Sequence, residues 1–209
     1  MAHDFEAVPA FDPASGFEPG DASLVERCQG PTLDVGAGPG RLTVALTERG
    51  IPALGIDVTP NAVRQTRSAG ALALMRDVFG HIPGAGRWRT VLLADGAIGI
   101  GGDPAALLRR IGDLLAPQGR ALVELQPPGD DGPAAADQID ELARTAGMEL
   151  RELWTESGRW FAELDGSRVP ASTEDDLMTT EPVTTEPVTR GPDRCAAGGP
   201  GWPAIPEPG

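Results

Sequence analysis

A tight glycine turn directly after a short apolar run limits what this chain can fold into more than any other feature. Residues 33–40 read Leu-Asp-Val-Gly-Ala-Gly-Pro-Gly, and a second apolar run, residues 53–57, ends in Asp57. An apolar strand that runs into a glycine turn can bring bare backbone N–H groups against a bound nucleotide. A carboxylate that ends the next strand can accept hydrogen bonds from a ribose diol. The pattern predicts an α/β sheet with a nucleoside site in the first part of the chain.

Composition excludes several classes of protein. The chain has 209 residues and is 40% hydrophobic, which suits one domain with a sizeable core. A net charge of −14 disfavours nucleic acid as a partner, because binding to phosphates depends on clustered cations. There is no apolar run of about 18 residues and no signal peptide, so we expect no membrane span and a cytoplasmic location. Cys28 and Cys195 are isolated, which predicts neither a disulfide nor a metal site.

Strands and helices alternate along most of the chain. Apolar runs predict strands at 32–35, 53–57, 71–76, 90–94 and 120–125. Helical spacing and end signals predict helices after Asp21, at 41–49, at 60–69 behind Thr59, from Asp103-Pro104 to Leu115, and near 134–146. Residues 149–155 and 159–164 read as a hairpin around Gly158. This order predicts a parallel sheet covered on both faces, with one antiparallel edge strand.

The two ends of the chain differ from its middle. Residues 1–20 read as an irregular N-terminal arm rich in Pro, Gly and acids, and the domain is expected at 21–165. Residues 166–209 are dominated by Pro, Thr, Gly and Glu, and Thr-Thr-Glu-Pro-Val occurs twice in tandem at 179–188. Such a segment buries too little apolar surface to offset the entropy lost on ordering, which predicts disorder.

Taken together, the motifs resemble those of the class I S-adenosylmethionine (SAM)-dependent methyltransferases over about residues 21–165. The resemblance is carried by the glycine turn at 33–40, Asp57, Asp77-Val78, the strand at 91–95, the helix–turn–strand segment at 114–124 and the final hairpin. It implies a Rossmann-like, doubly wound, mostly parallel seven-stranded sheet with an antiparallel last strand and helices on both faces. It also implies SAM as the cofactor.

The resemblance assigns roles to residues at the cofactor site. Gly36 and Gly38 would line the methionine moiety, and Asp34 would lie near its amino group. Asp57 would accept hydrogen bonds from the ribose hydroxyls. Each residue also has a plainer interpretation, because glycines serve any tight turn and aspartates commonly end strands or cap helices.

Further along the chain, the resemblance concerns the adenine and the acceptor. Asp77 would accept from the adenine amino group while Val78 offers its backbone N–H, and Asp95 would face the place where methionine and substrate meet. Methyl transfer is an in-line displacement that depends mainly on orientation. A general base matters only where the acceptor loses a proton, and the candidates are Asp95, His81 and Glu124.

The acceptor is expected to be a small molecule methylated on O, N or C. The segment after Asp95 lacks the Asn/Asp-Pro-Pro-aromatic loop of enzymes that methylate adenine or glutamine. No large insertion covers the strand ends, so a lid would come from residues 1–20 and 78–89.

Two rival functions remain open on the sequence. A nicotinamide-dependent oxidoreductase would need a third glycine where this chain has Arg41. A methyltransferase-like protein that binds the cofactor without turnover would also fit, because few catalytic groups are evident. The sequence leaves the oligomeric state undetermined.

Overall fold

The computed structural model describes residues 17–129 and 134–166, which form an α/β domain. Its helices are α1 (Asp21–Arg27), α2 (Arg41–Glu48), α3 (Pro60–Ser68), α4 (Pro104–Leu114) and α5 (Ile139–Thr145). Its strands are β1 (Thr32–Val35), β2 (Ala53–Asp57), β3 (Ala73–Met75), β4 (Trp88–Leu93), β5 (Leu115–Leu125), β6 (Glu149–Glu156) and β7 (Arg159–Asp165). The predictions for residues 1–16 and 167–209 lie outside the described residues.

The seven strands form one sheet in the order β3-β2-β1-β4-β5-β7-β6. Strands β1 to β5 pair in parallel, and β7 is antiparallel to both of its neighbours, β5 and β6. The order reverses between β1 and β4, so the carboxyl ends of these strands flank the crevice where open α/β sheets bind ligands. The predicted Rossmann-like fold with an antiparallel last strand is confirmed, but that strand, β7, lies between β5 and β6 rather than at the edge of the sheet.

Helices cover both faces of the sheet. Because successive side chains of a strand point to opposite faces, each central strand contributes to both buried clusters. Leu33, Val35 and Leu93 pack with α4 and α5 in one buried cluster. Leu92 and Leu122, from the same central strands, pack with α1 and α2 in another. The strands that flank the crevice are therefore central strands whose side chains are buried on both faces of the sheet.

The residues that cap the helices agree only in part with the prediction. Asp103 does cap α4, since its carboxylate accepts from the Ala106 N–H at 2.9 Å. Asp21 does not cap α1: Gly20 is the N-cap, and Asp21 is the first helical residue. Thr59 is the N-cap of α3 but makes no side-chain capping bond. The Asp21 carboxylate instead accepts hydrogen bonds from Arg41 and Arg159, as described below.

No described helix is long and apolar enough to cross a lipid bilayer.

Candidate active site

The glycine turn between β1 and α2 directs its backbone N–H groups into the protein. The N–H groups of Gly36 and Ala37 donate to the Ile56 carbonyl at 2.9 and 3.0 Å, and that of Gly38 donates to Asp57 Oδ2 at 3.0 Å. The sequence-based expectation of bare N–H groups facing a nucleotide is therefore wrong. The neighbouring strand β2 runs close enough to accept these hydrogen bonds.

The glycine turn leaves open space in which a ligand can lie. Gly36, Gly38 and Gly40 all have positive φ, at 70°, 53° and 89°. A Cβ at Gly40 would overlap the Thr66 side chain, so this glycine serves the packing of α2 against α3. A Cβ at Gly38 would meet nothing within 4 Å. Gly38 therefore leaves open space directly beside Asp57.

Asp57 is oriented by two backbone N–H groups at the end of β2. Oδ2 accepts from Gly38 as described, and Oδ1 accepts from the Thr59 N–H at 2.7 Å. Each carboxylate oxygen retains a further lone pair, and the side chain is half-buried. The carboxylate is thus held in place before any ligand arrives and can still accept two hydroxyl groups.

Asp77 and Val78 follow β3 at the same edge of the sheet. The exposed Asp77 carboxylate accepts from the Phe79 N–H at 3.0 Å, while the Val78 side chain is buried. The Val78 N–H has no acceptor within the part of the chain that the structure describes. Val58, Met75 and Phe79 expose apolar side chains here, at 67%, 52% and 44%. A flat apolar ring with polar edges would match this combination of groups.

Asp34 lies beneath the glycine turn rather than in the open site. It is 3% exposed, and its Oδ2 accepts from the Thr43 hydroxyl of α2 at 2.6 Å. Gly55 makes room for that hydroxyl, since a Cβ there would lie 2.8 Å from Thr43 Oγ1. Burial raises the pKa of Asp34 to about 6, and the Thr43 hydrogen bond only partly opposes it. Direct contact with a methionine amino group stays a prediction.

Replacing Asp34 with asparagine is expected to change how stability depends on pH. The raised pKa means that the parent loses stability as pH rises from 3.8 to about 6, because in this range Asp34 ionises in the unfolded chain while the buried carboxyl group stays protonated. Asp34→Asn removes that loss, while its extra amide donor lacks a partner and offsets part of the gain. The stability of the variant relative to the parent should therefore rise by on the order of 3 kcal/mol as pH increases through this window, whatever the constant offset from the amide. Urea midpoints measured from pH 4 to pH 7 would contradict this if the difference stayed flat.

Asp95 is the exposed member of an otherwise largely buried ion network that the sequence did not reveal. The network consists of Asp21, Arg41, Asp95, Glu124 and Arg159. Arg41 contacts Asp21 through Nη1 and Asp95 Oδ2 through Nη2, the latter at 2.5 Å. Arg159 reaches Asp21 Oδ1 and Glu124 Oε1, both at 2.8 Å, and Glu124 Oε2 also accepts the Asp95 N–H at 2.7 Å. The network ties α1, α2 and β7 to the ends of β4 and β5.

At Asp21 and Glu124, hydrogen bonds within the ion network outweigh the effect of burial on the pKa. Burial raises the pKa of Asp21, but hydrogen bonds from Arg41 and Arg159 lower it below its ordinary value overall. Burial likewise raises the pKa of Glu124, but Arg159 and the Asp95 N–H bring it below its ordinary range. The pKa of Arg159 is raised, first by its hydrogen bond to Glu124. All three groups are therefore charged at neutral pH.

These contacts separate the three candidate bases. Both oxygens of Glu124 bind Arg159, each at 2.8 Å, and its pKa is lowered, so it is a poor proton acceptor. His81 is exposed and makes no hydrogen bond to the described residues. The Asp95 side chain is 56% exposed at the carboxyl end of β4, between the glycine turn and Glu124. Asp95 is therefore the accessible carboxylate of this group.

The sequence contained one usable signal for the ion network. Arg41 directly follows the glycine turn, and the first residue of α2 must lie at the carboxyl edge of the sheet. Its partner Asp21, by contrast, is twenty positions away, and Arg159 lies 138 positions from Asp21. Only the tertiary fold brings these charges together.

Two further polar features of the described residues concern metal-binding side chains and the buried cysteine. Residues 17–129 and 134–166 contain no group of three or more His, Cys, Asp or Glu side chains that could hold a metal ion. Burial raises the pKa of Cys28 to about 12, so its thiol stays protonated.

Solved structures, rather than sequence comparisons, reveal what this fold is similar to. No protein-family model matches the chain, and no curated protein matches it significantly. A SAM-dependent methyltransferase from Bacteroides fragilis, in complex with S-adenosyl-L-homocysteine, superposes with a TM-score of 0.64 at 22% identity, covering 76% of this chain and 80% of its own. A TehB-like SAM-dependent methyltransferase from Corynebacterium glutamicum gives 0.60 at 20%, covering 74% and 91%.

A third solved structure includes an acceptor. The 1,6-didemethyltoxoflavin-N1-methyltransferase of Burkholderia thailandensis, with bound 1,6-didemethyltoxoflavin and S-adenosylhomocysteine, has a TM-score of 0.56 at 18% identity, covering 70% of this chain and 76% of its own. At such identities the likeness concerns the fold. The described domain therefore has the fold of the class I SAM-dependent methyltransferases.

Proposed function

We propose that this protein transfers a methyl group from SAM to a small-molecule acceptor by in-line displacement. The observation that carries the proposal is the open space at Gly38 beside an Asp57 carboxylate that two backbone N–H groups hold in place. Gly38 follows β1, which borders the reversal point of a sheet with the class I methyltransferase fold, and Asp57 ends the adjacent strand β2. Two of the similar structures contain S-adenosylhomocysteine, the product of such a transfer.

Each end of the proposed site suits a different part of the cofactor. Asp57 would accept the two ribose hydroxyls. Asp77 and the Val78 N–H would recognise the polar edge of adenine, and Val58 and Phe79 would cover its apolar face. The Gly36 carbonyl accepts no hydrogen bond from the described residues, which makes it a suitable partner for the methionine ammonium group.

The ion network fits a cationic cofactor. Three carboxylates face two guanidiniums, which leaves one negative charge in excess near the proposed transfer position. SAM supplies a methyl carbon already activated by its sulfonium group, so the protein has to orient the acceptor and exclude water. Asp95 is the residue that would receive a proton or orient the acceptor, and His81 stays a more distant candidate.

A small organic acceptor agrees with the site and with one similar structure. Its substrate, 1,6-didemethyltoxoflavin, is a small molecule. Absence of nucleic acid partners and a cytoplasmic location, both expected from the sequence, stay predictions.

Binding of the demethylated cofactor tests the proposed site directly. Titration calorimetry should show S-adenosylhomocysteine binding to the parent, and Asp57→Ala should weaken it at least about tenfold, because the charge-assisted bonds to the ribose are lost. Asp103→Ala is a matched control, since it also removes a carboxylate that accepts a backbone N–H. Equal binding by the parent and Asp57→Ala would contradict the proposed ribose contact.

Turnover separates the enzyme from the two rival functions. With labelled methyl-SAM and a panel of phenols, amines and nitrogen heterocycles, we expect labelled product from at least one class. Binding of S-adenosylhomocysteine without any labelled product would favour a cofactor-binding protein. A fluorescence change with reduced dinucleotide, without binding of S-adenosylhomocysteine, would favour the oxidoreductase.

A further inference from the structure

Arg110, in α4, binds the loop that follows β3. Its Nε donates to the Val78 carbonyl at 2.9 Å, and its Nη2 donates to the Gly80 carbonyl at 2.7 Å. The side chain is half-buried and makes no ion pair with a carboxylate among the described residues. Its planar guanidinium is therefore committed to two carbonyls of one short loop, a geometry that lysine cannot reproduce.

The bond to Val78 also orients Asp77. The Val78 carbonyl and the Phe79 N–H belong to the same planar peptide group. Arg110 binds this group at its oxygen, and Asp77 Oδ1 accepts its N–H at 3.0 Å. The Asp77 backbone carbonyl in turn accepts from the Gly80 N–H at 3.0 Å, which closes the turn. Arg110 thereby fixes the peptide group that holds the Asp77 carboxylate.

Phe79 supports the same loop from the other side. A Cβ at Gly101 would lie 2.7 Å from Phe79 Cε2, so the ring packs directly on the glycine backbone. Gly101 belongs to the 3₁₀ segment Ala97–Gly102, whose Ile100 Cδ1 lies 3.0 Å from the position of a Cβ at Gly36. The loop is thus held between α4 and a segment that also contacts the glycine turn.

We infer that Arg110 is a positioning residue for recognition of the 6-amino group of adenine, an inference that rests on the proposed function. Arg110 acts without contacting the cofactor. It holds the Val78–Phe79 peptide group, and that peptide group in turn orients the Asp77 carboxylate. An ionised carboxylate accepts from a 6-amino group but cannot accept from a 6-oxo group. Fixing the direction of the Asp77 carboxylate therefore increases the preference of the site for adenine over hypoxanthine.

The test compares two ligands that differ at position 6, where an oxo group replaces the amino group, and at the adjacent N1, which then carries a proton. Calorimetry on the full chain measures the Kd of S-adenosylhomocysteine and of S-inosylhomocysteine, which carries hypoxanthine. Arg110→Ala should reduce the preference for the adenine ligand about tenfold, mainly by weakening S-adenosylhomocysteine. Arg110→Lys, which keeps the charge and most of the stem, should give an intermediate preference. Arg109→Ala is the matched control, because Arg109 is the exposed neighbour on α4 without a hydrogen bond to the described residues, and it should leave both Kd values unchanged.

Each outcome has a defined meaning. Weakening of both ligands by the same factor in Arg110→Ala and Arg110→Lys would show a merely structural role and overturn the inference. An unchanged preference in both variants would overturn it as well. If the parent bound neither ligand, the proposed function itself would be wrong. Binding by the parent with a preference that depends on Arg110 supports both.

Discussion

Replacing Asp21 with asparagine is expected to destabilise the protein by about 3 kcal/mol, the lower end of what removal of one partner from a buried ion pair costs. Asp21 is fully buried and accepts from both Arg41 and Arg159. Asparagine keeps the shape but removes the charge, so two guanidiniums lose a common partner. Arg41 retains Asp95, and Arg159 retains Glu124, which limits the loss.

Urea unfolding with a matched surface variant tests this expectation. Asp140→Asn removes a carboxylate from an exposed pair with Arg144, whose side chains are 60% and 66% exposed, and should change stability by less than about 0.5 kcal/mol. Equal effects of the two substitutions would show that the ion network contributes no more than a surface pair.

The pH dependence of the Asp21→Asn variant provides an independent check. Because the pKa of Asp21 is lowered in the folded protein, its stabilisation is present above 3.8 and is lost as pH falls through the folded value. The difference in free energy of unfolding between parent and variant should therefore begin to narrow as pH falls below 3.8. It should be smallest below the folded pKa of Asp21. A difference that stayed constant or widened would show that the Asp21 charge is not the cause.

Local signals predicted the fold well where they were strong. The bounds of β1 and β2 agree with the prediction, because each strand is a short apolar run between clear turn residues. Strand β5 starts five residues earlier than predicted, at Leu115. Pro117 and Gly119 lie after the end of α4, and β5 continues through them with an irregularity at Gln118, whose φ is 65°. The helix predicted near 134–146 is limited to Ile139–Thr145.

The site was predictable as a list of residues but not as a set of contacts. The sequence predicted Asp57 and Asp77 as site residues, and the structure has Asp57 at the end of β2 and Asp77 just after β3, at the same edge of the sheet. It could not show that the turn's N–H groups bind the Ile56 carbonyl, since that depends on how closely β2 approaches the turn. Nor could it show that Glu124 is neutralised by Arg159, 35 positions away. Pairings between distant charges appear only once the sheet order is known.

Gly38→Ala is expected to weaken binding of S-adenosylhomocysteine by about 2 kcal/mol, roughly 30-fold in Kd, because the new methyl group overfills the space proposed for the ligand. The substitution keeps the N–H that binds Asp57, and the added Cβ meets no protein atom within 4 Å. Its cost to folding should therefore be only the strain of a positive φ, about 1 kcal/mol.

Gly50→Ala is a matched control for that backbone strain. Gly50 has a φ of 73°, compared with 53° at Gly38, and a Cβ there also meets nothing within 4 Å. It follows the C-terminal end of α2, away from the carboxyl edge of the sheet. Both variants should lose similar stability in urea unfolding, and only Gly38→Ala should lose affinity in calorimetry. The two variants differ in location rather than in backbone strain. If Gly38→Ala bound S-adenosylhomocysteine as tightly as Gly50→Ala does, the ligand would therefore not lie in the space beside Asp57.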